Sequence, residues 1–260
     1  MLQGNPRAAL RDRALRAANS LPAGVRDPML ERLRWIRQLI ELGSEEGTYD
    51  VRRFFRFAFW NLAFNGISGD YAEFGCWSAR SFRMAYDASR RVSYPCRMWA
   101  FDSFQGLPAP QEVADAHPRW VAGTMAISLD AFHAACQRHG IPADAYRVVA
   151  GWFDQSLAPD APGERPGDIC LAYIDCDLYS STRSVLEFLR PRLKHGMIVA
   201  FDDYFAWSPT DISGERRALS EFMASQSTYR LVPFFRFGPA SLAFVVEACA
   251  TLPAPLPNLS

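Results

Sequence analysis

The apolar positions of this chain follow two different periods, one before residue 67 and one after residue 70. In the first part, apolar side chains recur at the three- and four-residue spacing of amphipathic helices. Asp27 followed by Pro28 predicts the start of one helix, because Asp caps a helix and Pro suits its first turn, and Gly43 predicts its end. A second helix is predicted over 50–65. Its aromatic residues cover more than one face, so we expect it to be buried on two sides.

From Asp70 onward the pattern changes to short apolar runs, each bounded by glycine or polar residues, and most runs are followed by helical periodicity. This alternation of strand and helix indicates a doubly wound sheet of parallel strands. The predicted strands cover 71–75, 98–102, 147–151, 170–175 and 197–202, and the predicted helices lie near 78–91, 128–139, 181–190 and 215–226.

The last two apolar stretches, 229–237 and 241–247, are separated by Gly238 and Pro239, so they are predicted to pair as a hairpin. The segment 251–260 contains three prolines and is predicted to lie on the surface. The pattern therefore predicts an α/β fold with a mostly parallel, seven-stranded sheet that ends in an antiparallel hairpin and is preceded by helices.

With 260 residues and a mass of 29.2 kDa, the chain is long enough for one α/β domain with a helical extension and short for two full domains. We therefore expect a helical extension over 1–67, a sheet domain over 68–250 and a Pro-rich tail over 251–260. Lys plus Arg and Asp plus Glu both total 28, so no net charge favours a nucleic acid or an anionic membrane as partner.

The six cysteines show neither a CxxC pair nor the spacing of metal ligands, and several lie in apolar runs, so they are predicted to be reduced thiols. The N-terminus lacks the apolar core of a signal peptide. No window approaches the roughly 20 apolar residues of a membrane span. We therefore expect a cytoplasmic protein.

Two motifs at the ends of the first two predicted strands indicate a ligand at the carboxyl edge of the sheet. Gly75 lets the backbone approach a ligand closely, and Glu73 is either the partner of a cofactor's ammonium group or an ordinary polar residue at a strand end. The motif lacks the further glycines of a pyrophosphate fingerprint. Asp102 either accepts hydrogen bonds from two ribose hydroxyls or forms a cap or Asx turn, and Ser103 follows it.

Four aspartates follow the fourth and fifth predicted strands, Asp175 and Asp177 after the fourth, Asp202 and Asp203 after the fifth. Neighbouring parallel strands would bring Asp175, Asp202 and Asp203 together. Their charges would repel one another unless a cation, a proton or strong hydrogen bonds intervened. Magnesium, which prefers oxygen ligands, is the simplest answer. In the alternative interpretation one Asp caps a helix and another is solvated.

These motifs resemble those of the macrocin O-methyltransferase family. The similar segments are 70–77 (GDxxExGxW in the family), 102–108 (DSFxGLP), 151–153 (GWF), 175–182 (DGDLYxST) and 202–204 (DDY). This chain departs from the family at two places. Cys176 stands where the family has the Gly of DGD, and Ala79 with Arg80 replaces a Gly pair.

The resemblance implies a Rossmann-like class I methyltransferase fold, whose sheet of five parallel strands ends in an antiparallel hairpin, whereas six parallel strands would suit a nicotinamide-binding domain. It implies a sugar or glycoside hydroxyl as acceptor, S-adenosylmethionine as cofactor and a bound magnesium ion. The implied cofactor residues are Glu73, Gly75, Asp102 and Ser103, and the implied metal ligands are Asp175, Asp202 and Asp203. Trp152 is either a contact of the adenine ring or a core aromatic residue.

Methyl transfer requires an acceptor oxygen in line with the sulfonium methyl group and a base that takes the oxygen's proton. Asp175 is our first choice for that base and Asp177 the second. Three alternative functions remain open: a catechol-type methyltransferase acting on a vicinal diphenol, a non-catalytic domain that binds S-adenosylmethionine or a partner, and a metal-dependent hydrolase. No His ligand accompanies the carboxylates, which weakens the last of these.

The segment 105–123 is long for a loop and holds several prolines, so it is predicted to be a lid that is mobile without ligand. It contains His117, whereas His133, His139 and His195 are predicted to lie on the surface. The sequence leaves the oligomeric state open, and the Phe-rich helix over 50–65 is the candidate contact for a homo-oligomer.

Overall fold

The computed structural model describes residues 45–206, 212 and 214–249. The helix expected after Asp27 and the tail over 251–260 lie outside these residues. The helix expected over 50–65 is present as α1 (Glu45–Phe64). It packs Phe54, Phe55 and Phe59 into the core, but Trp60 and Phe64 are 53% and 73% exposed, so the helix is not buried on two sides.

The remaining described residues alternate between strand and helix, as expected. The strands are β1 (Asp70–Phe74), β2 (Met98–Asp102), β3 (Tyr146–Ala150), β4 (Ile169–Ile174), β5 (Ile198–Phe201), β6 (Tyr229–Phe237) and β7 (Ser241–Ala248). The helices are α2 (Arg80–Arg91), α3 (Leu129–Arg138), α4 (Phe153–Ser156), α5 (Tyr179–Leu189) and α6 (Gly214–Ala224). Among these α-helices, α4, a single turn after β3, was not expected from the apolar periodicity.

The strands form a seven-stranded sheet in the order β3-β2-β1-β4-β5-β7-β6. The first five strands run parallel, and β7 pairs antiparallel with both β5 and β6. The strand order reverses between β1 and β4, and doubly wound folds bind their ligands at such a switch point, beyond the carboxyl ends of the strands. The expected sheet and its terminal hairpin are therefore confirmed.

Both faces of the sheet are covered, as the continuous apolar runs of its central strands require. On one face, Phe54 of α1 stacks on Phe237 of β6 with ring centroids 4.2 Å apart. On the other face, Phe74 stacks on Phe101 at 4.8 Å. Tyr71 and Glu73 share one face of β1, because side chains two residues apart on a strand point the same way. The central strands are thus buried between two layers, and the loops at their ends can present the site.

Several bulk expectations can be compared with the described residues. All six cysteines are free thiols, as expected. No helix in the described ranges is both long and apolar enough to cross a membrane. The His133 ring forms a hydrogen bond with the Tyr146 hydroxyl, and the His139 ring forms one with the Asp87 carboxylate. The His195 ring accepts the backbone N–H of Ala248.

Candidate functional site

A cavity of about 460 Å³ opens at the carboxyl edge of the sheet, beside the switch point. Its walls come from the loops that follow β1 to β4 and from the start of α5. Most of the predicted site residues line it together: Gly75, Asp102, Ser103, Trp152, Asp175 and Asp177. Pockets of this size are typical of sites for small molecules and cofactors.

Position 75 requires a glycine because two loops come into close contact there. Its φ is +93°, a conformation that L side chains rarely adopt. A Cβ at this position would lie 1.8 Å from the carbonyl oxygen of Asp175. The glycine therefore lets the loop after β1 lie directly against the loop after β4, at the wall of the cavity.

Asp102 both lines the cavity and organises its rim. One carboxylate oxygen accepts the N–H of Cys76 and the other accepts that of Phe104, each at 2.6 Å. The bond from Phe104 closes an Asx turn, which was one interpretation of Asp102, and ribose recognition stays a prediction for this residue of the cavity wall. Burial raises the pKa of Asp102, and the two N–H donors oppose that shift. Ser103 tightens the same turn by donating to the carbonyl of Gly106 at 2.9 Å.

Glu73 lies in the core and is absent from the cavity wall. Its carboxylate accepts hydrogen bonds from the hydroxyls of Tyr71 and Ser81. Burial raises the pKa of Glu73 to about 8, although both hydroxyl donors lower it. This geometry supports a structural role for Glu73 more than contact with a cofactor's ammonium group.

Trp152 stands at the cavity wall between β3 and α4. It follows Gly151, whose φ is +136° and whose N–H donates to the carbonyl of Asp102 at 2.9 Å. The turn after β3 is therefore fixed to the end of β2. Trp152 is partly exposed, as a ring available to stack on a ligand must be.

Three carboxylates form a compact group, which we call the acidic cluster: Asp175, Asp177 and Asp203. Each can place an oxygen within 4.8 Å of the others. Burial raises the pKa of Asp177 to about 6 and those of Asp175 and Asp203 well above their usual range, and neighbouring carboxylates raise the latter two further. Asp177 also has a φ of +59°, an unusual backbone conformation for a residue other than glycine.

Asp202 was expected in this group, and the described structure puts Asp177 there instead. The carboxylate of Asp202 accepts hydrogen bonds from the hydroxyls of Tyr173 and Ser241. After burial, the charge of Asp202 contributes most to the raised pKa of Asp175, so Asp202 lies beside the acidic cluster although it is not a member. Asp175 and Asp203 are the two members on which the sequence expectation and the geometry agree.

Glu215, at the start of α6, is a buried residue that sequence reasoning did not find. Its carboxylate accepts the N–H of Cys176 at 3.3 Å and that of Asp203 at 2.9 Å. Burial and the charges of Asp203 and Asp202 raise its pKa well above the usual range. The only hint in the sequence is a Gly-Glu pair at the start of a predicted helix.

The loop over 105–123 packs onto the start of α5, beside the acidic cluster. The buried Asp115 accepts the N–H of Ser180 at 2.8 Å, and it also accepts two N–H groups of its own loop. Glu112 forms an ion pair with Arg183 at 2.9 Å. Asp115 thus caps a helix whose own N-cap residue, Leu178, has no acceptor side chain.

The two departures from the family pattern have different structural settings. Ala79 has a φ of +52°, in the left-handed region that favours glycine, so it adopts the backbone conformation that a Gly pair would favour. Cys176 is buried in the core, and its sulfur lies 3.7 Å from the Thr182 hydroxyl. Its backbone N–H donates a hydrogen bond to Glu215, next to the acidic cluster.

The strand order, the terminal hairpin and the cavity at the switch point together define a class I methyltransferase fold. The chain belongs to the macrocin-O-methyltransferase (TylF) family, whose sequence pattern matches residues 53–229. The resemblance seen in the motifs is therefore confirmed.

Two relatives come from Streptomyces. The chain is 35% identical over 152 residues to the 8-demethyl-8-(2,3-dimethoxy-alpha-L-rhamnosyl)-tetracenomycin-C 4'-O-methyltransferase of Streptomyces olivaceus, covering 54% of both chains. It is 30% identical over 166 residues to the demethyldecarbamoylnovobiocin O-methyltransferase of Streptomyces niveus, covering 59% of this chain and 60% of the relative. The chain thus spans little more than half the length of these relatives.

Solved structures agree with the fold. The O-methyltransferase NovP matches with a TM-score of 0.62 and 23% identity, over 75% of this chain and 78% of that chain. The calicheamicin methyltransferase CalS11 matches with a TM-score of 0.56 and 22% identity, over 94% of both chains. At this level of identity the two structures support the fold.

Proposed function

We propose that this protein is an S-adenosylmethionine-dependent O-methyltransferase that methylates a sugar hydroxyl of a glycosylated natural product or a polysaccharide precursor. One observation carries the proposal: a single cavity joins Asp102, at the end of β2, to Asp175 and Asp177 of the acidic cluster. A cofactor subsite and a proton-accepting subsite thus share one space. The Streptomyces relatives, one of them described as a methyltransferase of a rhamnosyl compound, support a sugar as acceptor.

The cofactor proposal rests on the wall around Asp102. Its carboxylate already accepts two backbone N–H groups, yet each oxygen has a second lone pair available for a ribose hydroxyl. Gly75 and Ser103 complete this part of the wall, and Trp152 is the candidate partner of the adenine ring. When bound, S-adenosylmethionine supplies an electrophilic methyl group on its sulfonium sulfur.

Magnesium is the metal that the acidic cluster fits best. All three groups offer hard oxygen donors, and three carboxylates so close together repel one another without a counter-charge. We propose Asp175, Asp203 and Asp177 as ligands, with Asp202 supporting the end of β5 through Tyr173 and Ser241. When bound, such a cation lowers the pKa of an adjacent hydroxyl and fixes its position.

The proton of the acceptor hydroxyl passes in this proposal to a carboxylate of the cavity. Asp175 and Asp177 both line it. Both carboxylates are candidates for the base, Asp175 as the first choice from the sequence and Asp177 as the second. The left-handed backbone of Asp177 holds its side chain at the start of α5.

A mass-spectrometric screen tests the proposal. The purified protein is incubated with isotopically labelled S-adenosylmethionine, magnesium, and a panel of glycosides and vicinal diphenols. We expect a glycoside product that carries one labelled methyl group. Methylation of diphenols alone would identify a catechol, and not a sugar, as the acceptor. Failure to bind the cofactor at all would contradict the proposal.

A further inference from the structure

Glu215 connects the two loops that supply the whole acidic cluster. One of its oxygens accepts the N–H of Cys176, which lies between Asp175 and Asp177 in the chain, and the other accepts the N–H of Asp203. The loop after β4 and the loop after β5 are therefore bonded to the same carboxylate. The three cluster members lie on these two loops, so their separation depends on the place of Glu215.

The start of α6 is packed tightly against the same loops, which fixes Glu215 in place. Gly214 has a φ of +56°, and a Cβ there would lie 2.5 Å from the carbonyl oxygen of Asp177 and 3.0 Å from the ring of Trp120. A small residue with this backbone conformation is needed for α6 to begin so close to the cluster.

A fourth acidic side chain beneath three others is electrostatically unfavourable, because buried like charges repel. An apolar side chain would avoid that cost but would leave two backbone N–H groups without an acceptor. A carboxylate with one methylene more than Asp reaches both N–H groups at once. Glutamate is therefore a residue type that can link the two loops.

We propose that Glu215 is a positioning residue that holds Asp203 beside Asp175 and Asp177 before any cation binds. The inference rests on the proposed function, because the cluster has a purpose only if it takes a metal ion. Glu215 does not line the cavity, so it acts through the loops that it bonds. Residues that orient metal ligands in this way typically change metal affinity by 10- to 100-fold when they are replaced, so an effect of about that size is expected here.

Binding of Mn²⁺ alone, followed by the loss of its free electron paramagnetic resonance signal, tests the inference. Glu215→Gln keeps the volume but can accept only one of the two N–H groups, and Glu215→Asp keeps the charge but is too short for both. We expect each to weaken Mn²⁺ binding by about tenfold or more, while S-adenosylhomocysteine affinity stays within a few fold. Glu187→Gln, the same change at an exposed carboxylate of α5, should leave both affinities unchanged.

The outcomes separate the two proposals. Wild-type affinity for Mn²⁺ in both Glu215 variants would overturn the positioning role alone. Wild-type affinity in the Asp variant, with a loss in the Gln variant, would show that Glu215 acts through its charge. That result would also overturn the positioning role. If the unmodified protein binds no Mn²⁺, the metal proposal fails and this inference with it. Gly214→Ala, which pushes α6 away from Asp177, should also weaken Mn²⁺ binding. This variant tests the positioning role if the Glu215 variants do not fold.

Discussion

The carboxylate of Asp102 accepts the backbone N–H of Cys76 at 2.6 Å, which ties the loop after β2 to the loop after β1. The two residues lie 26 positions apart in the chain. Because these loops form neighbouring parts of the cavity wall, the same carboxylate that we assign to ribose recognition also holds the wall together. In the proposed function, cofactor binding and the shape of the site are thus linked at one residue.

Replacing Asp102 by Ala should lower the affinity for S-adenosylmethionine and S-adenosylhomocysteine by about 10- to 100-fold, the scale of lost hydrogen bonds to a charged group. Calorimetry measures both affinities. Asp70→Ala is the matched control, because Asp70 accepts the N–H groups of Arg97 and Trp99 at the opposite edge of the sheet. Equal losses in the two variants would show that the Asp102 effect is one of general stability.

The loop over 105–123 should be cut by trypsin after Arg119 more slowly when S-adenosylhomocysteine is bound, because several of its residues line the cavity proposed for the cofactor. Asp115→Ala should speed that cut by removing the acceptor for the N–H of Ser180. Timed digestion followed by mass spectrometry of the fragments measures both effects. Cleavage at the same rate with and without ligand would argue against a lid.

The buried Glu73 predicts a loss of stability as the pH rises. Its pKa in the folded protein, about 8, lies above the usual 4.5, so folding favours the protonated form. The stability that Glu73 contributes is therefore fully present below the usual pKa and is lost as the pH rises toward 8, by at most about 1.4 kcal/mol per pH unit. Glu73→Gln should flatten the fall of Tm over this interval. A fall of unchanged slope would contradict the shifted pKa.

Asp177→Asn should lower the rate of methyl transfer by about 100-fold or more, the scale of losing a positioned acid-base group. Its affinity for S-adenosylhomocysteine should stay within a few fold, because Asp102 and not Asp177 is the proposed ribose ligand. Asp144→Asn, the same change at an exposed position before β3, is the control. A variant with normal turnover would remove Asp177 from the mechanism.

Much of this fold could be predicted because buried parallel strands leave continuous apolar runs in the sequence. The strands and the terminal hairpin follow those runs closely. The single turn of α4 could not be predicted, since four residues show no periodicity. The helix α1 was recognised, but burial on two sides was wrong, because a helix rich in aromatics gives no sign of which of them stay exposed.

The site could be predicted in part, because residues at strand ends converge in any parallel sheet. Asp175 and Asp203 were placed correctly near each other on this ground. For Glu73 the structure favours the second of the two interpretations, because the hydroxyls of Tyr71 and Ser81 bind its carboxylate in the core. Glu215 was missed because its partner Cys176 lies 39 positions earlier, and no local pattern records such a contact.

The most direct test of the account measures methylation of an accepted glycoside before and after removal of divalent metal. We predict that a chelator abolishes turnover, that added Mg²⁺ restores it, and that binding of S-adenosylhomocysteine to the chelated protein is unchanged. The acidic cluster is the reason, because its carboxylates repel one another and two of them, Asp175 and Asp177, line the cavity. Methylation at full rate by the chelated protein would contradict the account and leave the carboxylates to act as a general base without metal.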